Sequence, residues 1–144
     1  MKYKPGRPSA GLFALLHAAD TAQSHVESKL NTIGLSLAKL AALNVLREAG
    51  DSLPLGQLAD RLSCVKSNIT QLVDRLEADG LVMRTPDPND RRSRLAVTTA
   101  AGRKSCTAGL RLQERTERQL FGGLSANEAR QLAALMGKVT KRAG

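Results

Sequence analysis

The stretch from Leu53 to Thr98 constrains the fold more than any other part of the chain, because it holds two short amphipathic segments back to back and then two strand-like runs. In LPLGQLADRL, Leu55, Leu58, Ala59 and Leu62 recur at the i, i+3, i+4, i+7 spacing that gives a helix one apolar stripe. After the tripeptide SCV comes KSNITQLVDRLEADG. Here Ile69, Leu72, Val73 and Leu76 form a second stripe, while Lys66, Ser67, Asn68, Thr70, Gln71 and Arg75 stay polar. Gly80 marks the stop, since glycine takes up a left-handed position after a helix without steric cost. A second helix that docks by one face and leaves the other polar predicts a helix-turn-helix whose free face suits a DNA major groove.

The strand-like runs are LVMRT and RLAVT, separated by PDPNDRRS. Proline fixes φ and Asn or Asp hydrogen-bond a turn backbone, so the run between them predicts a hairpin turn carrying Asp90, Arg91 and Arg92. Taken alone, DRR is a solvated turn with charges; directly behind a helix-turn-helix it becomes a wing that reaches DNA. The expected fold class is therefore mainly α (α+β), a winged helix-turn-helix with N- and C-terminal dimerisation helices.

The succession LVDRLEADGLVMR, DPNDRR and VTTAAGR is similar to that of the MarR family of bacterial transcriptional regulators, whose usual pattern is an RLEKKGLV-like run, DxRD or DRR, and LTxxG. Two positions depart from it: Gln71 stands where arginine is frequent, and VTTAAGR replaces LTEAG. The resemblance implies a homodimer on an operator, with an inducer pocket, where one exists, between the winged unit and the dimer helices. It assigns the groove-entering arginine to Arg92 and its orienting carboxylate to Asp90, with Arg91 and Arg94 nearer the DNA backbone. On the recognition helix, expected from Lys66 to Arg75, the residue types point to base reading by Asn68, Thr70 and Gln71. Lys66, Ser67 and Arg75 suit phosphates, or base edges at the helix start.

The formal charge of +9 fits a polyanionic partner, because lysines and arginines on phosphates release condensed counterions. It is concentrated: Arg103 to Gly144 carries +6, whereas Asp51 to Met83 carries −2. A basic surface alone also fits an anionic membrane, but no run approaches the roughly 20 apolar residues that span a bilayer. With aromatics at only 2% of the chain, base-stacking platforms for single strands or RNA are lacking, and duplex DNA is the expected partner.

The opening MKYKPGRPSAGLFALLHAAD has the basic head and apolar run of a signal peptide. Its helical stripe nevertheless continues past Asp20 to Leu30, so it reads as a basic arm, Met1 to Pro8, and a first helix capped by Ser9. That helix, to about Asn31, carries Leu12, Leu15, Leu16, Ala19, Val26 and Leu30 on one face. Gly34 ends it. Ser36 caps the next helix, Leu37 to Ala49, with Leu40, Leu43 and Leu46 inward. Leu53 and Leu55 are candidates for the strand that completes a three-stranded sheet. Thr98 or Thr99 begins a long helix through Leu110, Leu112 and Leu120 to about Phe121, and SANE, from Ser125 to Glu128, is a capping box for a last helix. Its apolar face is Ala129, Leu132, Leu135, Met136 and Val139. The apolar stripes outside the winged unit need cover, from a second copy or from the chain's own core. A second copy divides the chain into a winged unit, 36–98, and a dimerisation region, 1–35 and 99–144.

No constellation supports catalysis. His17 and His25 have no carboxylate or cysteine partners nearby in sequence, and Cys64 and Cys106 lack the spacing of a zinc site, so neither enzyme, metal nor cofactor is expected. Unpaired cysteines suit a reducing cytoplasm. Cys64, beside Lys66 at the start of the recognition helix, is either a redox sensor or an ordinary turn cysteine. The expected function is a DNA-binding regulator relieved by a small molecule or oxidant. The alternative is a winged-helix module that binds a protein and has no operator.

Overall fold

Capping chemistry sets most of the element boundaries. The computed structural model describes residues 10–62 and 68–144, which form α1 (Ala10–Asn31), α2 (Leu37–Glu48), β1 (Ser52–Pro54), α3 (Leu55–Arg61), α4 (Ile69–Ala78), β2 (Val82–Asp87), β3 (Asp90–Thr98), α5 (Ala100–Phe121) and α6 (Ala126–Ala143). The Ser36 hydroxyl accepts from the Lys39 amide at the start of α2, where the Leu37 N–H also donates to Glu27 Oε1 at 2.7 Å. A carboxylate from α1 thus meets the positive end of α2. Thr99, not Thr98, caps α5 through the Gly102 amide, and Ser125 and Glu128 form the expected capping box on α6. Gly80 sits at φ 74° behind α4, the left-handed position expected of it.

The core is the winged unit. Leu40, Leu43 and Leu46 of α2, Leu58 and Leu62 around α3, Leu72, Val73 and Leu76 of α4, and Val82 and Ala96 of the sheet are all buried, joined by Val26 and Leu30 from the second half of α1. Each stripe expected from helical spacing is therefore an inward face here. The sheet order is β1-β3-β2, antiparallel throughout, with Leu53 opposite Ala96. Leu55, a candidate for the strand, instead opens α3: Pro54 ends β1 and its fixed φ precedes the helix.

The long helix α5 departs from the expected leucine stripe. Leu110, Leu112 and Leu120 are only half-buried, and the positions that go fully inside are Gly102, Cys106, Gly109 and Thr116. Small residues win there because the helix lies close to its neighbours. A Cβ on Gly102 would collide with the Leu81 carbonyl oxygen, and one on Gly109 would stand 2.7 Å from side-chain atoms of Leu35 and Leu40.

The terminal helices are different. On α1, Leu12, Phe13, Leu15 and Leu16 are exposed, and α6 has no buried residue, with Leu135 58% and Val139 56% exposed. No helix among the described residues is long and apolar enough to cross a membrane.

Candidate nucleic-acid interface

The second helix of the helix-turn-helix is α4, and it begins later than expected. Asn68 has extended backbone angles and is the N-cap, its side-chain oxygen accepting from the Thr70 and Gln71 amides at 3.0 and 3.4 Å. That oxygen is thereby committed to the helix end, which is why a short amide side chain stands there. A bidentate contact with adenine needs both that oxygen and the amide nitrogen, so the cap and base reading compete for one atom of Asn68. Lys66, Ser67 and Cys64 lie outside the described residues. Of the remaining recognition positions, Thr70, Gln71 and Arg75 are exposed, and Leu72, Val73 and Leu76 hold the opposite face in the core.

The hairpin is tighter than the predicted long turn. Val82 to Pro86 pair in register with Thr98 to Arg94, and then Asp87 pairs with Asp90, leaving only Pro88 and Asn89 between the strands. Asp87 Oδ1 accepts from the Asn89 amide at 2.9 Å and closes the turn. The step from Pro86 to Asp87 on β2 is matched on β3 by the step from Arg94 to Asp90. Arg91, Arg92 and Ser93 are therefore left without cross-strand partners, in a bulge of the kind that redirects side chains. Asp90, Arg91 and Arg92 accordingly belong to a bulged strand and not to the turn, because the ladder resumes past them. Arg91, Arg92 and Arg94 are exposed.

Asp90 meets Arg92 through its backbone. Its Oδ1 accepts from the backbone N–H of Arg92 at 2.9 Å, and no ion pair links it to the Arg92 guanidinium. The carboxylate fixes the course of the chain through the bulge. Arg92 itself is exposed, on a backbone that this contact positions.

One residue of the interface was missed in the sequence: Arg84, on β2. Its guanidinium donates to Asp74 at 2.6 Å, to Glu77 at 3.0 Å and to the Thr70 carbonyl at 3.3 Å, and its own amide donates to Glu77 at 3.0 Å. It thus ties three positions of α4 to the wing. Asp74 beside it, more than any other group, holds the guanidinium in its charged form. The available signal was the pair of carboxylates at Asp74 and Glu77, three apart and on one helix face, with an unpaired arginine at the head of the following strand. A second tie joins α4 to α5, where the Thr99 hydroxyl donates to the Gly80 carbonyl at 2.6 Å while accepting from Gly102. Lys39 on α2 pairs with Asp79 at 2.8 Å.

His17 is exposed and His25 half-buried on α1. Among the described residues no three His, Cys, Asp or Glu side chains are placed to hold a metal.

Comparison with known proteins agrees with this geometry. The MarR family profile matches residues 35–93, which run from the start of α2 into the wing. The HTH-type transcriptional regulator YkoM of Bacillus subtilis is 32% identical over 105 residues, covering 73% of this chain and 68% of its own. A probable transcriptional regulator from Pseudomonas aeruginosa superposes with a TM-score of 0.77 at 31% identity, over 88% of this chain and 94% of its own. A mutant of MarR from E. coli, crystallised in complex with operator DNA, does so with a TM-score of 0.77 at 26% identity, over 90% of this chain and 93% of its own. On these matches in sequence and in fold, the chain belongs to the MarR family of DNA-binding transcriptional regulators.

Proposed function

We propose that the protein is a cytoplasmic repressor that binds a pseudo-palindromic operator as a homodimer and leaves it when a small molecule or oxidant binds. Residues 36–98 are the DNA-binding unit in this reading, and residues 1–35 with 99–144 the dimerisation region. The observation that carries it is the exposed row of Thr70, Gln71 and Arg75 held by Arg84 to a wing that bears Arg91, Arg92 and Arg94. The relative solved on operator DNA supports the same surface as the DNA face. The exposed leucines of α1 and α6 support the dimer. Two copies related by a two-fold axis set two recognition helices about one turn of DNA apart. An oxidant acting at Cys106 fits poorly, since burial pushes that thiol up and away from the reactive thiolate.

A gel shift on the DNA upstream of the protein's own gene tests the reading. Arg92→Ala should weaken binding strongly with the fold and dimer intact, and Gln71→Ala should cost about 1–3 kcal/mol and relax preference at one base pair. Asp90→Ala should weaken binding although it removes a negative charge, while Asp90→Asn, which keeps an oxygen to accept from Arg92, should bind nearly as wild type. If Asp90→Ala binds as tightly as wild type and Arg92→Ala loses no more than a generic surface arginine, the wing is not a DNA contact.

A further inference from the structure

Helical spacing divides α4 into three edges. Leu72, Val73 and Leu76 face the core, and Gln71, Arg75 and Ala78 follow one another at i, i+4, i+7 along an exposed edge. Thr70, Asp74 and Glu77 repeat that spacing along the edge that meets β2, and Arg84 spans the whole of it. Arg84 Nη2 donates to Asp74 and to the Thr70 carbonyl, and Nη1 donates to Glu77 Oε1, while Glu77 Oε2 accepts from the Arg84 amide. One carboxylate therefore holds both the side chain and the backbone of β2. A planar guanidinium reaches several acceptors in a fixed geometry, which a flexible ammonium does not. Both terminal nitrogens are engaged and the single positive charge is outnumbered by two carboxylates, so this group has no net attraction for phosphate.

Strand register places this hold at the foot of the wing. Arg84 lies opposite Ala96, and the next pair on the same face is Pro86 with Arg94, where the bulge begins. Along β3, Arg92 is about 13 Å from Ala96, and successive base pairs are about 3.4 Å apart, so a tilt of about 15° at Arg84 moves the wing by one base pair. Small slack at this one contact is therefore enough to change which bases the wing meets. We propose that Arg84 is a positioning residue that sets the reading offset: by locking β2 to one edge of α4, it makes the recognition helix and the wing meet the duplex at a single fixed separation. Arg84 makes no phosphate contact of its own. The consequence at DNA rests on the regulator reading above, whereas the lock itself does not.

Neutralising all three side chains together, with Arg84→Met, Asp74→Asn and Glu77→Gln, separates position from charge. The variant loses one positive and two negative charges, so Coulomb attraction alone predicts tighter binding to DNA. The lock predicts the opposite sign: about tenfold weaker binding to the best wild-type sequence, since two contacts on a loosened tether reinforce each other less. Selection from a random duplex library reads the offset. Wild type should enrich one separation between the element read by α4 and the step met by the wing, and the triple variant should enrich the same two elements at several separations. Arg84→Lys keeps the charge but not the fork, and should broaden the separation to a smaller degree; it carries the test if the triple variant does not fold. Without DNA, residual dipolar couplings of the full chain read the lock alone. Those of the β2–β3 hairpin should shrink in the triple variant while those of α2 and α4 keep their size. Equal couplings in the two proteins, or DNA binding as tight as wild type or tighter at one separation, overturns the proposal. A wild type that selects no duplex sequence overturns the regulator reading instead, and the couplings then decide the lock by themselves.

Discussion

The winged unit and the terminal helices carry the same kind of apolar stripe and meet opposite fates. Leu43, Leu58 and Leu76 are fully buried, whereas Leu12 at 60%, Leu16 at 55% and Leu135 at 58% exposed face outward from helices just as regular. Periodicity specifies which residues share a face; whether that face is covered depends on a second surface of matching shape. In the winged unit that surface comes from α2, α3, α4 and the sheet. At the terminal helices no such surface is provided among the described residues, and apolar side chains there stay exposed.

The largest expected effect sharpens this contrast through two leucines. Leu58→Ala should destabilise the fold by about 2–5 kcal/mol, the usual range for a buried leucine. Leu135→Ala should change the stability of the protomer by under about 0.5 kcal/mol. In a dimer it should also lower the dependence of the melting temperature on protein concentration. Urea unfolding at two well-separated protein concentrations reads both. An equal loss in the two variants at every concentration would mean that α6 is covered by its own chain.

A smaller effect, of opposite sign in the two regions, comes from glycines. Gly102→Ala forces a Cβ onto the Leu81 carbonyl and should cost about 1–3 kcal/mol through displacement of α5 from the sheet. Gly137, inside α6, has nothing within 4 Å of an added Cβ. Gly137→Ala should therefore stabilise α6 by about 0.5–1 kcal/mol, the entropic advantage of alanine in a helix. Thermal melts of the two variants decide the matter, and a destabilised Gly137→Ala would reveal a close neighbour on α6.

The smallest effect concerns pH. Thr99 caps α5 with uncharged groups, but the α6 capping box uses Glu128, whose carboxylate accepts from the Ser125 amide at 2.9 Å and is held below its ordinary value chiefly by that bond. A carboxylate with a lowered folded pKa stabilises above the unfolded value of about 4.5, and the contribution disappears as pH falls through the lower folded value. Hydrogen exchange at the first α6 amides should accelerate below pH 4.5, relative to the intrinsic rate, while the α5 start shows no such step. Equal behaviour at both helix starts would remove Glu128 from the cap.

The contrast also explains what was legible in the sequence. Ser36, Gly80, Ser125 and Glu128 announced their helix ends because capping is local chemistry, and the inward leucines of α2 and α4 followed from spacing. An asparagine at position 68 suits base reading and helix capping alike in the sequence, and only the backbone angles of the structure identify the cap. The Arg84 network was hidden for a different reason. Arg84 meets Thr70 and Asp74 only after the chain has folded, and no periodicity records such meetings. The bulge at Arg91 was hidden because register is a property of two strands, not of one.

That bulge also determines where the wing tolerates change. The ladder that buries Val82 and Ala96 is complete by the pair Pro86 and Arg94, before the bulge begins. Residues added or lost between Asp87 and Ser93 alter the reach of the arginines without slipping that ladder, whereas one residue inserted between Val82 and Pro86 would turn its inward side chains to solvent. The tip can therefore diverge in length and charge among descendants of this sequence while the base stays constant, and a change of operator preference through wing length is open to selection at little cost in stability.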